Sequence, residues 1–138
     1  MLITVQANAY RDEEAEEPIS LITSGKLCLA GEKAVLTYDE TLDEALPPQH
    51  VTVTVENDSV QMSRNGDYAM ELVFHKGSRY EGKYATPYGD MELAVFCTRL
   101  RYDLGADGGE ILLSYQMDVN GQFAAMHDME LRLMRQNG

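Results

Sequence analysis

Along most of this chain apolar and polar residues alternate one for one. The cleanest stretch is Val51, Val53 and Val55 interleaved with Thr52 and Thr54. A period of two puts successive side chains on opposite faces of an extended strand, and β-branched residues suit a half-buried sheet. The same phase runs through Ile19, Leu21, Thr23, Gly25, Leu27 and Leu29, and through Ala34, Leu36 and Tyr38. It returns in Tyr68, Met70, Leu72 and Phe74, in Ile111, Leu113, Tyr115, Met117 and Val119, and in Met129, Leu131 and Leu133. Leu2 to Ala7 reads as a first strand. No segment has the length and 3.6-residue period of a helix.

The strands are punctuated by turn residues. Ala30-Gly31-Glu32-Lys33, Asn57-Asp58, Asn65-Gly66, Lys76-Gly77, Asp107-Gly108-Gly109 and Asn120-Gly121 each predict a tight reversal, with Asn65-Gly66 the strongest two-residue hairpin signal. Tyr80, Gly82, Tyr84 and Thr86 share a face before a Pro87-Tyr88-Gly89 corner. Pro87 holds Thr86 extended. Beyond it, Met91, Leu93, Val95 and Cys97 share a face, but the apolar phase slips to Leu100, Tyr102 and Leu104. A slip near Thr98 predicts a β-bulge that bends this long strand. Gly25 predicts a second bend. Arg11 to Pro18 reads as a mobile acidic loop, and Asp39 to Pro48 as a polar connection with room for one helical turn.

Sequential hairpins place neighbouring strands side by side. Closing such a ribbon removes its exposed edges. The predicted fold is all-β: an antiparallel meander barrel of about 8–10 strands, with an interior wide enough for side chains or one small ligand. The 138 residues make one domain, 1–138, large enough to fold without disulfide or metal.

Net charge is −12. Residues 1–60 hold 3 basic and 12 acidic side chains, and residues 61–138 hold 8 and 11. Such a field repels phosphate, so neither nucleic acid nor an acidic membrane is expected as a partner. No run reaches the roughly 18 apolar residues of a spanning helix, and the start lacks the features of a signal peptide; a cytoplasmic setting is expected. Cys28 and Cys97 read as reduced core thiols. No cysteine–histidine cluster suggests a metal, and no cofactor is expected.

The chain holds no G-x-S-x-G, P-loop, G-x-G-x-x-G or H-E-x-x-H motif. Asp128 cannot orient the imidazole of His127, since adjacent strand residues face opposite ways. An enzyme is not the expected class. What remains is a set of polar residues on inward phases: Arg64, Tyr84, Thr86 and Tyr115, with Tyr88 at the corner and Arg99 at the bulge as further candidates. An inward arginine must be paired or lie where water reaches it. It is either a strand-end arginine bonded to a loop carbonyl or carboxylate, or an anion-binding group at a pocket mouth ringed by tyrosines.

Met62-Ser63-Arg64-Asn65-Gly66, Tyr84-Ala85-Thr86-Pro87-Tyr88-Gly89 with Glu92-Leu93, Gly109-Glu110-Ile111, Tyr115-Gln116-Met117 and Met129-Glu130-Leu131 occur in this order. In that order they resemble the YwiB-like family of small bacterial proteins of unknown function. The resemblance implies a calycin-like, lipocalin-shaped barrel, a bacterial cytoplasmic setting and no catalytic residue to carry over. The chain has no Trp, so it lacks the Gly-x-Trp start of true lipocalins. Two functions are expected ahead of catalysis. One is an interaction or assembly module with an unidentified protein partner or as a homodimer. The other is binding of a small apolar or amphipathic ligand in an internal cavity of a few hundred Å³; a lumen packed solid by Met62, Leu72, Phe74, Leu93, Leu113 and Leu131 would sink it.

Overall fold

The alternation forms strands wherever the turn residues allow a reversal. The computed structural model describes residues 1–11, 14–15, 19–40 and 48–135. Among them are eleven strands: β1 (Leu2–Arg11), β2 (Glu14–Ala15), β3 (Ile19–Ala30), β4 (Lys33–Glu40), β5 (Gln49–Glu56), β6 (Ser59–Asn65), β7 (Ala69–His75), β8 (Arg79–Thr86), β9 (Gly89–Gly105), β10 (Gly108–Val119) and β11 (Gln122–Met134). Each strand from β3 onward pairs with the next, β3 pairs with β1, and β11 closes on β1. Every pairing is antiparallel, from Leu2↔Met134 at the closure round to Gly108↔Gly105 between β9 and β10. The result is a closed meander barrel, with β2 a two-residue flap on β1 (Tyr10↔Ala15). The acidic stretch read as a loop thus contains a short strand. The helical turn expected before Pro48 falls on 41–47, outside the described residues.

Local chemistry explains the reversals. Asn57 and Asp58 both take positive φ (51° and 58°), as do Asn120 and Gly121 (50° and 79°); these are the two-residue turns whose twist matches a right-handed hairpin. Asn65-Gly66 departs from its expected two-residue form. The last pair there is Arg64↔Met70, so the loop is longer. Tyr68 N–H reaches back to Gln49 Oε1 at 2.8 Å, and that tertiary bond outweighs the local hairpin preference. At the β9–β10 reversal the loop residues are Ala106 and Asp107, while Gly108 and Gly109 sit within the ladder. A Cβ on Gly109 would lie 1.9 Å from Asp103 O, and one on Gly108 2.1 Å from Leu133 O.

The two irregularities expected at Thr98 and Gly25 appear in the strand pairing. Between β9 and β10, Ser114 pairs with Arg99 and Tyr115 with Cys97, leaving Thr98 bulged. At Gly25, β3 changes partner: 19–24 pair with β1 and 25–30 with β4. A Cβ there would meet Thr37 O at 2.3 Å and Ile3 Cδ1 at 2.4 Å, so the chain passes where only a glycine fits.

Inward residues form one core, with Ile3, Leu36, Val53, Val60, Phe74, Cys97, Ile111 and Leu131 at 2% exposure or less. Each such aliphatic or aromatic side chain contributes about 1.5–3 kcal/mol on burial. Cys97 is buried as expected, but Cys28 is exposed: it lies on the outward phase between Leu27 and Leu29, and strand parity overrides its apolar character. Met62, Leu72, Phe74, Leu93, Leu113 and Leu131 all belong to the core. The middle of the barrel is therefore packed, against the expectation of an internal ligand cavity there.

Candidate functional site

One end of the barrel carries the reversals that include 65–69, 87–88 and 120–121. The other carries 31–32, 57–58, 76–78 and 106–107. At the second end Tyr102 Oη accepts the Asp58 N–H at 3.2 Å and reaches Asp58 Oδ1 at 3.4 Å, tying β9 to the β5–β6 turn. At the first end the inward side chains change character, because the period-two phase runs on past the apolar residues. Following Leu36 and Tyr38 that phase reaches Glu40; preceding Val51 it reaches Gln49; following Val60 and Met62 it reaches Arg64.

These residues meet. Gln49 pairs with Glu40 and Val51 with Arg64 across the ladders. Arg64 Nη2 donates to Glu40 Oε2 at 3.2 Å, with the two side chains 15% and 16% exposed. Arg64 is thus a paired inward arginine whose partner is a strand residue. Gln49 is buried, its Oε1 accepting from Tyr68 N–H. Gly66 lies against it, a Cβ there falling 2.4 Å from Oε1.

Tyrosines and methionines complete this end. The rings of Tyr68 and Tyr84 lie 6.1 Å apart. Tyr115 is buried, stacked on His127 at 5.0 Å and 8°, with Phe74 at 4.7 Å on a tilted plane. β7 and β10 are not neighbours in the sheet, so the Phe74–Tyr115 contact crosses the lumen. Met70 and Met117 are partly buried against the core. Burial pushes the Tyr115 phenol up to about 12, partly opposed by Arg64. Tyr38 is raised by burial and by the Glu40 carboxylate, again against Arg64. Burial also raises Tyr84, with Arg64 opposing and Tyr68 and Glu40 adding. Near neutrality these phenols are protonated and offer hydrogen bonds without charge.

Of the residues singled out in the sequence, Arg64, Tyr84 and Tyr115 come together here. The other three do not. Thr86 Oγ1 donates to Gly89 O at 2.6 Å and accepts from Tyr88 N–H at 3.1 Å, so it fastens the Pro87–Tyr88 turn. Tyr88 is 92% exposed at the tip of that turn. Arg99 stands on the outer wall, in a depression of about 360 Å³ lined also by Gln6, Asn8, Ser114 and Asp128. The bulge at Thr98 restores parity after one residue, which leaves Arg99 outside and Leu100 inside. His127 faces the lumen on Tyr115, while Asp128 accepts from Ser114 Oγ at 2.7 Å, so their opposite facing holds. Glu40 and Gln49 were not among the sequence candidates. Both could have been found by extending the apolar phase of β4 and β5 by one further step.

Residues 3–131 match a protein family described as a domain of unknown function (DUF1934). The chain is 28% identical over 124 residues to the "Uncharacterized beta-barrel protein YwiB" of Bacillus subtilis, covering 90% of this chain and 86% of that one. The crystal structure of the Bacillus subtilis ywiB protein superposes with a TM-score of 0.87 at 25% identity, over 99% of this chain and 91% of that chain.

Proposed function

The chain belongs to the family of the domain of unknown function DUF1934, and from the geometry of its lumen we propose that it is a non-enzymatic barrel that binds a small amphipathic molecule at its polar end. The observation that carries this is the Arg64–Glu40 pair, set inside the barrel and edged by Tyr38, Tyr84 and Met70. Tyrosine and methionine offer apolar bodies with polar or polarisable tips, the lining that an amphipathic ligand requires. The protonated phenols supply hydrogen bonds rather than a general base, which favours binding over catalysis. The test is organic extraction of protein purified from its own host, followed by mass spectrometry, beside the Arg64→Met variant. A compound present in near-molar proportion and depleted in the variant supports the reading. An extract with no compound approaching the protein's molar amount overturns it.

A second reading rests on the outer wall. Phe96, Gln116, Met126 and Tyr10 are successive partners across β9, β10, β11 and β1, and Phe96, Met126 and Tyr10 are 38%, 37% and 37% exposed. Such a row suits an interface between two copies. The net charge of −12 opposes that association, so added salt should strengthen it by screening. Sedimentation at low and high salt decides: a monomer under both conditions removes the homodimer.

A further inference from the structure

The polar end of the lumen has a hydrogen-bond deficit with one sign. Gln49 is 2% exposed. Its carbonyl is committed to the Tyr68 N–H, so the amide cannot turn round without setting NH₂ against that donor. Its Nε2 is left buried with no partner among the described residues. Arg64 gives Nη2 to Glu40, and its Nε is likewise buried and unmet. Since Val51 faces Arg64 and Gln49 lies two residues before Val51 on the same face, the two side chains are diagonal neighbours on adjoining strands, within mutual reach. Two donors on adjoining strands lack acceptors among the described residues, and unmade buried donors are rare because desolvation is then uncompensated.

We propose, resting on the binding reading above, that the group received here is a neutral hydrogen-bond acceptor, the carbonyl of an amide, ketone or ester, rather than a carboxylate. A carbonyl oxygen has two lone pairs and can take a hydrogen bond from each unmet donor. Charge selects the neutral form. The guanidinium is already matched by Glu40, so a ligand carboxylate adds a second negative group beside the first, in a protein of net charge −12. The protonated phenols of Tyr84 and Tyr115 carry no charge to offset it, and Met70 and Met117 accept the apolar body.

The experiment is nuclear magnetic resonance titration of the whole protein at pH 7 with three probes of equal chain length: octanamide, 2-octanone and octanoate. The reporters are the side-chain NH₂ of Gln49 and the Nε–H of Arg64. Octanamide and 2-octanone move both signals, and octanamide binds about tenfold more tightly than octanoate, as the avoided like-charge contact with Glu40 requires. Gln49→Met lowers octanamide affinity about tenfold and leaves octanoate nearly unchanged. Octanoate binding as tightly as octanamide, or octanamide binding without moving either reporter, overturns the acceptor assignment while leaving the binding barrel standing. If no probe perturbs any lumen residue, the binding reading itself falls. Should Gln49→Met not fold, the two reporters in the unaltered protein decide the matter alone.

Discussion

Glu40 and Arg64 lie 24 positions apart and meet only because β4, β5 and β6 are adjacent in the ring. Their nitrogen–oxygen separation is 3.2 Å. For unit charges at that distance Coulomb's law returns about 5 kcal/mol at an effective dielectric of ~20 and about 1.3 kcal/mol at ~80. Side chains 15% and 16% exposed sit between those limits, and part of the attraction is offset by desolvation. A coupling of about 2 kcal/mol is therefore expected. Arg64→Met strands the carboxylate and should destabilise by about 2–3 kcal/mol. Glu40→Gln keeps an acceptor for Nη2 and should cost about 1 kcal/mol. The double variant should be less destabilised than the sum, by the coupling. Urea unfolding of all four proteins measures the cycle. A coupling below about 0.5 kcal/mol would be that of a solvent-screened surface pair and would refute the picture of a desolvated pair inside the lumen.

Three more outcomes follow from particular contacts. Gly108→Ala places a Cβ 2.1 Å from Leu133 O at φ +122°, and should destabilise by more than about 3 kcal/mol, read as a lowered urea midpoint; Gly31→Ala, with nothing within 4 Å, tests backbone strain without the clash and should cost less. Alkali should unfold the barrel: burial raises the folded pKa of Tyr115 from 10.0 to about 12, so its contribution, about 3 kcal/mol, is whole below pH 10 and lost as pH climbs through 12. Absorbance at 295 nm should then show a late fraction of the eight tyrosines, Tyr115 and Tyr38 among them, ionising together with loss of the strand circular dichroism; all eight ionising near pH 10 with the circular dichroism intact would contradict the burial of these two. Among the thiols, Cys28 is exposed and Cys97 buried, with burial raising the Cys97 pKa against a hydrogen bond with the Arg99 backbone and nearby Lys76. A thiol reagent should label one cysteine in the native protein and both in urea; labelling of both at similar rates would mean that β9 opens readily.

The elements of this barrel were legible along the chain because they depend on neighbours in sequence. Alternation decides which side chain faces in, Asn-Asp and Asn-Gly pairs tolerate positive φ, and one slipped residue at Thr98 announces a bulge. Arg64, Tyr84 and Tyr115 could be picked out on the same ground, as polar residues in apolar phase. Parity alone could not say that Arg99 returns to the outer wall, since that depends on the bulge absorbing one residue. Nor could it say that Thr86 is engaged in its own turn, or that the loop after Asn65 lengthens to meet Gln49. The pairing of Arg64 with Glu40, and the two donors left over beside it, arise from the register of three successive strands, β4 to β6. Local preference is additive along the chain, whereas the satisfaction of a buried polar group is settled only by what the closed barrel places against it.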